Sequence, residues 1–149
     1  MTNDQCRKND EARMTELPEN SMAIVDSGCN SGEPSPANRV FDLEERTARF
    51  GEAVIAFCKK VPQNAITLPL IGQLVKAGTS VGANYCETDD AVSKKEFRCK
   101  IGTCKKESRE TKHWLRMMAA AEESTREEGR ALWLEAKELH LIFAKIYRI

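Results

Sequence analysis

The chain has 149 residues, room for one domain built around one core. No stretch approaches the ~20 consecutive apolar residues of a membrane span, and the N-terminus lacks the basic-then-apolar pattern of a secretory leader, so a cytoplasmic protein with reduced thiols is expected. The formal net charge of zero hides an asymmetry: residues 1–38 hold three basic against seven acidic groups, a net of −4, which leaves +4 for residues 39–149.

That acidic stretch is poor in large apolar residues and ends in Ser27-Gly-Cys-Asn-Ser-Gly-Glu-Pro-Ser-Pro36, a run of turn and linker residues. It reads as a disordered tail over residues 1–38, with a folded unit over 39–149. The first helix is expected from Asp42, where Glu45 three residues on suggests a capping box. Leu43, Thr47, Phe50, Val54, Phe57 and Val61 form its apolar stripe, and Pro62 stops it. The second helix starts near Thr67 with Pro69 in its first turn. Its stripe is Leu70, Leu74, Ala77, Val81 and Tyr85. Gly72, Gly78 and Gly82 suggest that a neighbouring backbone comes close. Ser93 with Glu96 opens a third helix of near 28 residues. Phe97, Ile101, Cys104, Ser108, Thr111, Leu115 and Met118 alternate in steps of four and three, a heptad seam. The fourth helix follows Thr125 with the seam Leu132, Ala136, Leu139, Phe143 and Ile146. Short connections between long amphipathic helices give an all-α fold, an antiparallel up-down-up-down four-helix bundle.

The fourth helix is apolar on more than one face. Trp133 and Tyr147 flank its seam, and Leu134 and Leu141 lie on the far side. A four-helix monomer cannot bury both faces, so these four residues are expected at an interface between copies; the bland alternative is that the tail or a loop covers Leu134 and Leu141.

The strongest functional signal lies on the third helix. Lys95, Arg98, Lys105, Arg109, Lys112 and Arg116 follow the rhythm of the seam, with Gly102 in the one gap. Residues 94–116 carry nine basic groups against three acidic ones. A long row of cations suits a phosphate backbone, because each contact releases a condensed counterion; the bland reading is a solvated face. Catalytic and metal chemistry find little support. Glu110-x-x-His113 is half of a di-iron signature, but His140, the other histidine, has Glu138 two residues away rather than three. Cys6, Cys29, Cys58, Cys86, Cys99 and Cys104 contain no C-x-x-C pair, and no glycine-rich phosphate loop is present. No cofactor, metal, membrane or small-molecule substrate is expected. Asn84, Glu87, Glu107 and Glu110 read as a polar cluster that fixes register between the second and third helices.

Thr79-Ser-Val-Gly-Ala-Asn-Tyr85, then Glu87, Ala91, Ser93, Phe97, Lys100 and Lys106-Glu-Ser-Arg-Glu-Thr-Lys-His-Trp-Leu115, resemble the bacterial four-helix bundle proteins encoded in intervening sequences of 23S ribosomal RNA genes. Arg49-Phe-Gly-x-x-Val-Ile55 and Phe57 resemble the first helix of that family. The resemblance covers about 110 residues. It implies a ring, commonly a pentamer, with no established enzymatic activity. A related branch, the accessory proteins of diversity-generating retroelements, binds a reverse transcriptase and nucleic acid. Two functions are therefore expected from different classes: a homo-oligomeric RNA-binding protein using the basic stripe, or a scaffold for a polymerase or ribosome-associated factor. The acidic tail is an addition to the family pattern.

Overall fold

A computed structural model describes residues Asp42–Ile149, so the expectation of a disordered acidic tail falls outside the described residues. Four helices follow one another: α1 (Leu43–Lys60), α2 (Thr67–Cys86), α3 (Lys94–Ala121) and, after a 3-10 turn at Glu123–Thr125, α4 (Arg126–Arg148). The starts of the first three are set by side chains that meet orphan backbone groups. The Asp42 carboxylate accepts from the Glu45 amide at 3.1 Å. The Ser93 hydroxyl accepts from the Glu96 amide at 3.1 Å, while the Glu96 carboxylate reaches back to the Val92 amide at 3.0 Å. In the turn before α2, the Asn64 side chain accepts from the amides of Ile66 and Thr67, both at 2.9 Å.

Cross-helix contacts make every neighbouring pair antiparallel. Gly82 meets Thr47 and Gly78 meets Val54, which runs α2 against α1. The Cys104 thiol donates to the Val81 carbonyl, and Lys100 pairs with Glu87, which runs α3 against α2. Tyr147 lies on Gly102 and Trp133 near Lys112, which runs α4 against α3. The ring closes between α4 and α1. Arg46 donates to both Glu135 oxygens at 2.7 and 3.0 Å and to Glu138 at 2.6 Å, and Gly129 seats the Phe57 ring. The bundle is therefore up-down-up-down, as the connection lengths imply.

The apolar stripes meet in one core. Val54, Leu74, Val81, Ile101, Met118, Leu139 and Phe143 are fully buried, and Tyr85 and Phe143 pack with ring centroids 5.8 Å apart. Polar seam members cost little, because Thr47, Ser108 and Thr111 each donate to a carbonyl one turn back. Among the described residues no buried side-chain polar atom lacks a partner. Phe97 departs from the seam: it stands 40% exposed in the first turn of α3. No described helix is long and apolar enough to cross a membrane.

Candidate functional site

The six stripe residues lie along one side of α3, with Lys105 and Lys112 half-buried and Lys95, Arg98, Arg109 and Arg116 exposed. Among the described residues none of the six forms an ion pair. Two of the three remaining cations of that helix differ: Lys100 is held by Glu87, whose hydrogen bond raises the lysine pKa, and Lys106 lies 3.9 Å from Glu110; Lys94, in the first turn, has no ion pair among the described residues. The expected polar cluster splits accordingly. Glu87 turns to Lys100, while the Asn84 amide donates to its own helix at Ser80. Glu107 has its pKa raised by burial and by the nearby Glu110.

The stripe faces α4, and α4 answers it with rings. Arg98, Lys105 and Lys112 recur every seven residues, and so do Tyr147, His140 and Trp133 in the opposite direction. Seven residues are close to two helical turns, so each set occupies one face. The Arg98 guanidinium sits 4.8 Å from the centroid of the Tyr147 ring, and the Lys105 ammonium 5.3 Å from it. Lys112 and Lys137 flank Trp133 at 5.6 and 5.8 Å. Each such contact contributes about 0.5–1 kcal/mol at an exposed site. His140 lies between the two rings along the helix. Burial lowers its pKa, and Lys112, Lys105 and Arg109 lower it further.

Gly102 explains the gap in the stripe. A Cβ there would lie 3.2 Å from Cε2 of Tyr147, so the missing side chain leaves room for the ring against the α3 backbone. Trp133 and Tyr147 contact the basic stripe within the chain and both stay partly exposed. Leu134 and Leu141 do face outward, at 49% and 57% exposed. His140 carries the clearest signal missed in the sequence: its seven-residue spacing from both rings places it in the basic groove.

Shallow depressions follow the groove. One of about 440 Å³ is lined by Lys95, Arg98, Thr103, Lys106 and Tyr147, and the next, of about 300 Å³, by Lys105, Arg109, His140 and Tyr147. Farther along, Arg116, Arg126, Arg130 and Trp133 border another. At the end of the bundle a more enclosed one, about 460 Å³, has apolar walls of Phe97, Ile101, Ile146 and Ile149, with Lys94 and Arg98 beside them. Glu110 and His113 do not converge on a common site. Glu110 sits near Lys106, and exposed His113 makes an edge contact with Trp114 at 4.9 Å. Among the described residues no group of three or more His, Cys, Asp or Glu side chains could hold a metal ion.

The fold recurs in a crystal structure of a protein of unknown function from the S23 ribosomal protein family of Bacteroides thetaiotaomicron. The two share 23% identity and a TM-score of 0.64 over 72% of this chain and 99% of that one. No curated protein is significantly similar to the chain. The model of the family described as 23S rRNA-intervening sequence protein matches residues 41–145, nearly all of the four helices. The chain belongs to that family.

Proposed function

We propose that this chain is a cytoplasmic, non-enzymatic, homo-oligomeric RNA-binding protein whose phosphate-contacting surface is the α3 stripe of Lys95, Arg98, Lys105, Arg109, Lys112 and Arg116. The carrying observation is that these six cations line one groove with no ion pair among the described residues, while Lys100 and Lys106 beside them are paired. Unpaired cations along a rigid helix stand ready to displace counterions from a phosphate chain. Rings set between cations add a stacking element that a merely solvated charged face does not need. The family's tie to intervening sequences of 23S rRNA is consistent with an RNA partner.

Self-association is a second part of the reading. Leu134 and Leu141 form an outward apolar pair on α4, and burying each against another copy would contribute about 1–2 kcal/mol. The same pair favours the alternative function, a scaffold on which a different protein docks. Titrating the full chain into a fluorescein-labelled RNA at several salt concentrations separates the two. For six phosphate contacts on a single strand the slope of log K against log salt is about −4, and changing Lys105, Arg109 and Lys112 together to Glu removes half of it or more. An absence of binding at low salt, with the helices intact, would assign the stripe to protein contacts and support the scaffold.

A further inference from the structure

We infer that the end of the α3–α4 groove is a pocket for an unpaired nucleobase, so that the RNA taken by this protein is single-stranded at that point. The inference rests on the RNA-binding reading above and specifies what that reading leaves open.

Three observations meet at Tyr147. Its ring stands 36% exposed in the last turn of α4 and forms a wall of three separate depressions. It cannot sink further, because it already lies on the α3 backbone at Gly102. Arg98 and Lys105 approach it from α3, so cations adjoin a π surface. The end depression adds the complementary shape: Phe97, Ile101, Ile146 and Ile149 line it, and Lys94 and Arg98 stand beside them. An apolar slot with cations at its edge matches a nucleotide, whose base has apolar faces and whose phosphate is anionic. A solvated charged face accounts for the lysines but not for Phe97, exposed by 40% beside them.

The same features discriminate against a duplex. Bases within a helix are stacked on one another and offer no face to a protein ring; splayed bases of single strands do, and they stack on Tyr and Phe. Electrostatics place the strand by continuity, since Arg98 belongs both to the slot and to the basic stripe. A second copy of the chain is a poorer occupant unless it brings carboxylates to Lys94 and Arg98, whose desolvation would otherwise be uncompensated.

The test uses the full chain and two RNAs of equal phosphate number, one unstructured strand and one blunt duplex, with Tyr147→Leu and Tyr147→Phe. The strand also carries 2-aminopurine, whose fluorescence is quenched when it stacks. The expected result is tighter binding of the strand, a loss of about tenfold in Tyr147→Leu on the strand alone, and wild-type affinity and quenching in Tyr147→Phe. Salt-dependent binding of both RNAs that Tyr147→Leu leaves unchanged would overturn the base pocket while the stripe reading stands. No salt-dependent binding of either RNA would remove the stripe reading and the pocket with it. A Tyr147→Leu protein that binds normally but changes oligomeric mass would assign the slot to a second copy and overturn the inference.

Discussion

Replacing Gly78 and Gly72 separately by alanine places one extra methyl at two points of the same helix, with opposite consequences. An ideal Cβ at Gly78 would lie 2.8, 2.9 and 3.1 Å from Cγ2, Cγ1 and Cβ of Val54. Val54 is fully buried and β-branched, with one strongly preferred rotamer in a helix, so it cannot turn away. Either α1 and α2 separate or a side chain leaves its well, which costs about 1–3 kcal/mol. Both substitutions gain about 1 kcal/mol of helix propensity, and at Gly72 nothing lies within 4 Å to oppose it. Gly72→Ala therefore stabilises by about 1 kcal/mol, and Gly78→Ala falls about 1–3 kcal/mol below it. Val54→Ala removes a fully buried side chain and costs stability by itself, but Val54→Ala with Gly78→Ala together cost less than the sum of the two singles, because the two changes meet in one space. Urea unfolding followed by circular dichroism, at one protomer concentration, measures the wild type and the four variants. If the two glycine variants agree within about 0.5 kcal/mol, the close approach of α1 and α2 at Val54 is wrong.

Other outcomes follow from the groove and the core. His140 has a lowered pKa in the folded chain, so the unfolded chain binds more protons as pH falls below about 6.5; its contribution to stability is present above that value and lost on acidification. His140→Gln should flatten that dependence. RNA phosphates would offset the cations Lys105, Arg109 and Lys112 that oppose its proton, so affinity should rise between about pH 7.5 and 5.5 in wild type and less in His140→Gln. Burial pushes the Cys104 thiol up to about 12 and the Cys58 thiol up to about 11. Both should resist a disulfide reagent until the chain unfolds, whereas exposed Cys99 reacts at once; a prompt reaction at Cys104 would contradict its placement in the core. Leu134→Lys with Leu141→Lys should lower the mass seen by sedimentation without unfolding the helices, and an unchanged mass would release α4's outer face from the proposed interface.

The bundle was largely legible because α1 and α3 carry their own punctuation and the apolar stripes carry the rest, although no side chain caps the start of α4. Asp42, Ser93 and Pro62 act where the backbone needs them, and the seam of α3 is buried from Ile101 to Met118. Phe97 escaped that rule because a heptad position says which face a residue occupies, not whether a neighbour extends far enough to cover it. Glycines show the same limit. Gly82 does meet the Thr47 backbone, at 3.3 Å, but Gly78 meets a side chain and Gly72 meets nothing. The basic stripe could be read from spacing alone, since charge and period sit on one helix. Its partners could not be read from one helix. Trp133 and Tyr147 look like unsatisfied apolar residues until α3 is laid against α4, when the seven-residue rank of cations finds the seven-residue rank of rings.

The most direct test of the central claim is a photo-crosslink. A single-stranded RNA carrying 4-thiouridine is irradiated with the full chain, and the modified peptides are identified by mass spectrometry. RNA held in the α3–α4 groove predicts adducts concentrated at Tyr147 and in the stretch of α3 from Phe97 to Arg109, lost when Lys105, Arg109 and Lys112 are changed to Glu. Adducts spread over α1 and α2, or unchanged by the charge reversal, would contradict it.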